Sequence, residues 1–168
     1  MRSRRWSVAE HRRLLVVIGV ALATSLIVAF ATSGSGGLAD AGIDPYGYGE
    51  MGESVAAGDG FEGFGSVLGR RTPLYPLLIG ALYAVFGVHP NVVVLVQCVM
   101  FAATAALTAD MARRHFGQRT GVIAGLMVAL NPLLLRYIPS LHVETMLTFM
   151  FTLMVWCAYR YWQRPTVR

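Results

Sequence analysis

Lysine is absent from this sequence and charge of either sign is scarce: 14 arginines and nine carboxylates make 14% of the 168 residues charged, against about a quarter in an ordinary soluble domain. Cysteine is limited to Cys98 and Cys157, both inside apolar runs, which excludes a disulfide scaffold and a Cys-x-x-Cys metal site. With 55% hydrophobic residues and a mean hydropathy of +0.55, the composition argues against a water-soluble globule. A formal charge of +5 built from arginine alone is not the mixed Lys/Arg face that binds nucleic acid, so no nucleic-acid partner is expected.

What is present comes in apolar blocks. Leu14 to Thr32 carries no charge for 19 residues, roughly 28 Å as a helix and close to the ~30 Å hydrocarbon core of a bilayer. Asn91 to Ala109 is similar, with Asp110 at its far end, and the polar Gln97 and Asp110 of this helix read as helix–helix glue near its cytoplasmic end. A third block, Val122 to Leu135, continues to Ile138 past Arg136 and is interrupted at Asn131-Pro132, and Thr145 to Trp162 is the fourth. A fifth, Pro73 to Gly87, is roughly 22 Å as a helix, too short to span comfortably.

The arginines decide whether that fifth block crosses. With four spans and a cytoplasmic N-terminus, Arg2, Arg4, Arg5, Arg12, Arg13, Arg113, Arg114, Arg119, Arg160, Arg164 and Arg168 all fall inside, leaving Arg70, Arg71 and Arg136 outside. A fifth span would translocate the later clusters, against the positive-inside rule. Pro73 to Gly87 is therefore expected on the outer side, embedded or interfacial and packed against the spans.

The expected fold class is an all-α integral membrane protein with about four transmembrane helices plus outer-side juxtamembrane helices, the lipid bilayer being its first partner. Residues 1–13 form a cytoplasmic tail, and the spans cover 14–32, 91–112, 122–138 and 145–162. An outer loop over 33–90 holds helices at about 45–57 and 73–87, a cytoplasmic loop covers 113–121 and a second outer loop 139–144. Residues 163–168 end the chain on the cytoplasmic side, giving a multi-pass protein of the cell membrane. The N-terminus also imitates a secretory signal, with Ala29-Phe30-Ala31 as a cleavage site, but its apolar run exceeds the ~7–15 residues of a signal core, which favours an anchored first helix.

Seven of the nine carboxylates, Asp40, Asp44, Glu50, Glu53, Asp59, Glu62 and Glu144, fall on the outer side of this topology. Asp44-Pro45 reads as a helix start, with the aspartate as N-cap and proline at the first helical position, and Gly58 as the stop. Asp44, Tyr48, Met51 and Val55 then form one stripe toward the rest of the protein. Gly47, Gly49 and Gly52 each cost that helix ~1 kcal/mol against alanine, so packing on the 73–87 segment has to hold it. On residues alone Asp44 is a helix cap or a solvated charge as readily as a functional group.

The order Asp44, Tyr48, Gly58-Asp59-Gly60-Phe61, then RRTPLYP from Arg70 to Pro76, Phe86-Gly87, ARRHFG from Ala112 to Gly117, Asn131-Pro132 and Glu144 resembles the N-terminal part of the GT-C membrane glycosyltransferases that use polyprenyl-phosphate sugars. The likeness is to the protein mannosyltransferase and aminoarabinose transferase type (family 39 and its relatives). It implies a catalytic aspartate at the start of a juxtamembrane helix, which maps onto Asp44, and a second acidic residue on the outer side after the third span, which maps onto Glu144. It also implies a polyprenyl-phosphate sugar donor and an outer acceptor hydroxyl. Phosphate is already a good leaving group, so the chemistry needs a base for the acceptor rather than an acid, and Asp44 fills that role. Tyr48, Arg70, Arg71 and His142 are the expected substrate-binding residues, either arginine neutralising the lipid phosphate or serving only as an interfacial anchor. His142 and Glu144, at i and i+2, share no helix face, so a divalent metal is only weakly supported and no cofactor is assigned.

Enzymes of that type carry more spans, so the resemblance implies a fragment, a chain completed by a partner that supplies further helices, or an inactive relative. The expected function is a membrane glycosyltransferase or its N-terminal module, and the alternative is a non-catalytic four-helix subunit or assembly partner that binds lipid-linked sugars. The topology has a direct check. Cysteines placed at Ser66 and Gln118 react with impermeant probes from opposite sides, and labelling of both from one side refutes four spans.

Overall fold

A computed structural model describes residues 8–32, 44, 46–61 and 72–163, which form helices and turns with no strand. Helix α1 covers Val8–Ala31, α2 Tyr48–Ala57, α3 Leu74–Phe86, α4 Pro90–Phe116, α5 Gln118–Ala129, α6 Pro132–Leu135 and α7 Glu144–Trp162. By length and composition two helices can cross a bilayer, His11–Ala31 and Pro90–Phe116, with mean hydropathies of 2.7 and 2.2. The chain is thus an all-helical protein with membrane-spanning character.

Several boundaries differ from those expected. The helix expected over 45–57 begins at Tyr48, because Gly47 adopts a left-handed φ of 66° that no helix interior accommodates. It does stop at Gly58, also left-handed at φ 89°. The loop expected over 113–121 contracts to Gly117 alone, whose φ of 95° turns α4 directly into α5. The run expected as one helix over 122–138 is two. The side chain of Asn131 accepts hydrogen bonds from the backbone N–H of Leu133 (2.9 Å) and Leu134 (3.3 Å), and Pro132 opens α6, so the break is a capped restart. At 12 residues, α5 alone is about 18 Å long, short of the hydrocarbon thickness.

Helix α4 is the axis of the bundle and touches α1, α3, α5 and α7. One core joins α1, α4, α5 and α6 through small residues, among them Ala21, Ala102, Ala105, Ala109 and Ala129. A Cβ added at Gly125 would come within 2.6 Å of Val17 and 2.9 Å of Ala109, which measures how closely three backbones approach, as membrane helices do through small residues. Thr24 Oγ1 donates across this seam to the Ala129 carbonyl (2.8 Å).

The second core joins α2, α3, the start of α4 and the segment before α7, with Tyr48, Met51, Tyr75, Ile79, Tyr83, Val93, Leu141 and Met146 buried. Here two glycines mesh. A Cβ at Gly52 would lie 2.3 Å from Ile79 Cγ2, and one at Gly80 would lie 2.5 Å from Val55 Cγ1. This contact offsets the glycine cost that α2 pays in propensity. The stripe expected on α2 faces it, with Tyr48 and Met51 buried, while Glu50 and Glu53 are exposed.

Gly52→Ala should therefore destabilise the protein by ~1–3 kcal/mol through overpacking despite alanine's ~1 kcal/mol advantage in a helix. Thermal unfolding in detergent reads the change, and adding Ile79→Ala should recover part of it. Gly19→Ala, where nothing lies within 4 Å of the new methyl, is the control and should not destabilise.

Candidate active site

Asp44 sits one turn before α2. Its carboxylate accepts from two backbone amides of the first helical turn, Tyr48 N–H to Oδ1 (2.9 Å) and Gly49 N–H to Oδ2 (2.7 Å), and its own carbonyl accepts from Gly47 N–H (3.1 Å). The left-handed Gly47 lets the chain double back so that one side chain reaches amides four and five residues on. Helix N-terminal amides and the helix dipole stabilise a negative charge there. Each carboxylate oxygen has two lone pairs, so one per oxygen remains for a further donor.

From Asp44 a chain of contacts runs to α4. The Tyr48 ring meets the Tyr75 ring edge-on at 5.1 Å between centroids. Tyr75 Oη–H donates to Gln97 Oε1 (3.1 Å). The Gln97 amide then donates to two carbonyls of the segment after α6, Ile138 (2.9 Å) and Ser140 (3.0 Å). Burial, and then the Asp44 charge ahead of smaller effects that include Glu144, pushes the Tyr75 phenol well above its ordinary range, so it stays a donor. Tyr83, on the same face of α3, is pushed up to about 12 by burial and by Glu53 and Asp44.

The same clasp delivers the residues ahead of α7. A Cβ at Gly49 would lie 3.2 Å from Leu141 Cδ1 and 3.3 Å from Asp44 Oδ2, so Leu141 and Asp44 flank one glycine. Next to Leu141, the His142 ring packs against Tyr46 (5.5 Å) and Tyr137 (5.6 Å). Glu144, in the first turn of α7, borders a small cleft with Tyr137, Phe101, Thr104, Thr145 and Thr148. Glu144 Oε2 and Thr145 Oγ1 at this cleft, and His142 Nδ1 beside Tyr46 and Tyr137, are buried without a hydrogen-bond partner. Three such atoms within four residues leave hydrogen-bonding capacity unused at this end of the bundle, where buried polar groups are ordinarily satisfied. No group of three or more His, Cys, Asp or Glu suited to a metal ion occurs among the described residues.

The family model of the dolichyl-phosphate-mannose-protein mannosyltransferases matches residues 70–168, more than half of the chain. The chain belongs to this family. No curated protein and no solved structure matches it. Of the mannosyltransferase-type site residues expected from the sequence, Arg70, Arg71, His142 and Glu144 fall within the matched segment, whereas Asp44 and Tyr48 precede it.

Within this mannosyltransferase-family chain the structure brings Asp44, Tyr48, His142 and Glu144 to one end of the bundle, while Arg70 and Arg71 lie outside the described residues. Tyr48 is 5% exposed, so its ring is part of the clasp rather than of an open surface. Tyr46, Tyr75, Tyr137 and Thr145 were not foreseen, and nothing in their local sequence distinguishes them from interfacial aromatics or an ordinary helix threonine. Gln97 was visible as a polar residue in an apolar helix but was expected as helix glue near the cytoplasmic end. It lies seven residues into α4 and serves the opposite end. The glue role does hold for Asp110, which accepts from Arg113, from Arg114 Nε (2.7 Å) and from Trp156 Nε1 of α7 (2.9 Å).

Gln97→Leu leaves the Tyr75 hydroxyl and two carbonyls unsatisfied and should cost ~1–3 kcal/mol. Tyr75→Phe should cost less, and the double variant less than the sum, because both remove the same hydrogen bond. Denaturation midpoints of the four proteins test this, and strict additivity would show that the two residues do not cooperate.

Proposed function

We propose that this chain forms the acidic end of a membrane glycosyltransferase site, moving a sugar from a polyprenyl-phosphate donor to an acceptor hydroxyl. Membership in the mannosyltransferase family supports glycosyl transfer at a membrane. The observation that carries the site reading is that Asp44 and the unpartnered His142–Thr145 group come from distant parts of the chain and are held to one end of the bundle by a dedicated clasp.

In this reading Asp44 accepts the proton of the acceptor hydroxyl as its oxygen bonds the anomeric carbon. The bond from that carbon to the phosphate oxygen breaks, and the lipid phosphate leaves with the electron pair. The α2 amides keep the carboxylate aimed, and a lone pair on each oxygen is available for the incoming proton. Glu144 Oε2 and His142 Nδ1 orient the acceptor through the hydrogen bonds they now lack. Arg70 or Arg71 neutralises the donor phosphate as a charge-assisted contact, and Tyr48 acts on Asp44 through its amide rather than on the substrate. The chain is a four-span protein of the cell membrane with both termini on the arginine side, and a partner chain or further helices complete the donor lipid site.

Expressed in membranes with any separately encoded remainder and supplied with lipid-linked sugar, Asp44→Asn should lose ~10²–10⁴-fold in transfer rate, the contribution of a general base. Asparagine retains one amide-accepting oxygen, so helix content by circular dichroism should be little changed. Transfer at the parent rate would mean that Asp44 only caps α2 and would favour the non-catalytic subunit.

A further inference from the structure

Toward the arginine end, α1, α4 and α7 enclose a groove of about 590 Å³, inside the ~300–1,000 Å³ range of small-molecule sites. Its walls are Ile18, Ala103, Ala106, Leu107, Phe149 and Leu153, all only half-buried. The α4 residues run from Ala103 to Arg114 at spacings of 3, 1, 3 and 4, a stripe along one helix face about 16 Å long. That is half of the ~30 Å hydrocarbon core, the depth of one leaflet. Small side chains at Ala103 and Ala106 create the furrow between the larger ones.

The groove is apolar except at one mouth, where Asp110, Arg114, Trp156 and Arg160 meet. Asp110 is shared by Arg113 and Arg114 and also accepts from the Trp156 indole. The Arg160 guanidinium lies over the Trp156 ring, 5.4 Å from its centroid. Of the two guanidinium groups that line this mouth, Asp110 answers only Arg114, which leaves the mouth with a net charge of +1. Arg160 is 11 residues beyond Phe149, so it lies at the end of the groove where a headgroup emerges from the hydrocarbon. An aromatic and an arginine at that depth match the composition of a membrane interface.

We infer that this groove binds one anionic phospholipid from the leaflet at the arginine end, its acyl chain along α4 between α1 and α7 and its phosphate on Arg160 and Arg114. Charge complementarity selects the headgroup and the one-leaflet length selects the chain. Its charged mouth lies at the end of the bundle opposite Asp44 and Glu144, so headgroup binding there is separate from the proposed transfer chemistry.

Trp156 is a built-in reporter. In nanodiscs, a variant with Trp6→Phe and Trp162→Phe leaves Trp156 as the sole tryptophan and can be exposed to phosphatidylglycerol or phosphatidylcholine carrying brominated chains. The brominated phosphatidylglycerol should half-quench Trp156 at a lower mole fraction than the brominated phosphatidylcholine. Arg160→Gln should reduce that preference by about fivefold, the effect of one arginine at an anionic surface, and Arg160→Lys should retain it. The Arg160 side chain donates no hydrogen bond within the described residues, so the glutamine variant should fold, and its circular dichroism checks this. Equal quenching by the two lipids overturns the inference in favour of unselective lipid contact. Absence of quenching by either overturns it in favour of a protein segment or a second copy filling the groove. None of these outcomes bears on transfer by the Asp44 site.

Discussion

One buried amide holds the acidic end of this protein together. Gln97 is fully buried in an otherwise apolar stretch of α4, where an unpaired amide costs several kcal/mol. Its oxygen accepts from Tyr75 and its nitrogen donates to Ile138 and Ser140, so both amide hydrogens and one oxygen lone pair are used. Because the partners belong to α3 and to the segment after α6, satisfying one side chain fixes two other elements against α4. A fully satisfied polar cluster in a low-dielectric core specifies a single arrangement, while a partly satisfied one costs stability. Everything the site needs hangs from that arrangement: α2 packs on α3, Asp44 caps α2, and Leu141 and His142 follow directly from Ser140.

The charge layout follows from helix direction. Helices α4 and α7 both begin at the acidic end and finish at the arginine end, with Arg113, Arg114 and His115 in the last turn of α4 and Arg160 in the last turn of α7. Cations at helix C-termini and anions at N-termini are the favourable pairing. Asp44, one turn before α2 with its carboxylate on the first amides, and Glu144, in the first turn of α7, sit at helix N-termini in the same way. Arg13 of α1 joins Arg113 in the crevice where α4 turns into α5. The polarity that the positive-inside rule reads along the sequence is thus repeated, helix by helix, in the local electrostatics.

Much of this was legible in the residues. The apolar blocks located the long helices, Asn131-Pro132 was visible as an interruption though not as the end of a helix, and the stripe from Asp44 to Val55 gave the buried face of α2. The start of α2 was missed because Asp44-Pro45 is a good N-cap pair by local rules, and only the backbone geometry of Gly47 displaces it. The role of Gln97 was missed for a different reason. Its partners lie 22, 41 and 43 residues away in the chain, and periodicity carries no information about which carbonyl a glutamine will find. The unpartnered atoms of His142, Glu144 and Thr145 were likewise invisible, since partnering is a property of the fold.

In the transfer proposed above, Asp44 would have two duties that pull against each other. As a cap it works best as an anion, its two oxygens strengthening the bonds from Tyr48 and Gly49 by charge assistance. As a base it must take a proton, and in doing so it weakens those same bonds while α2 has little propensity of its own to fall back on, with glycine at positions 49 and 52. The helix can survive that moment only if something other than its cap holds it. The glycine mesh between Gly52 and Gly80 and the stacking of Tyr48 on Tyr75 supply that hold from α3, and Gln97 anchors α3 in turn. With Asp44 as the proposed base, a rigid clasp beneath a weak helix becomes a requirement of its place at a helix start, and the most tightly packed glycines of this end do lie behind Asp44 rather than around it.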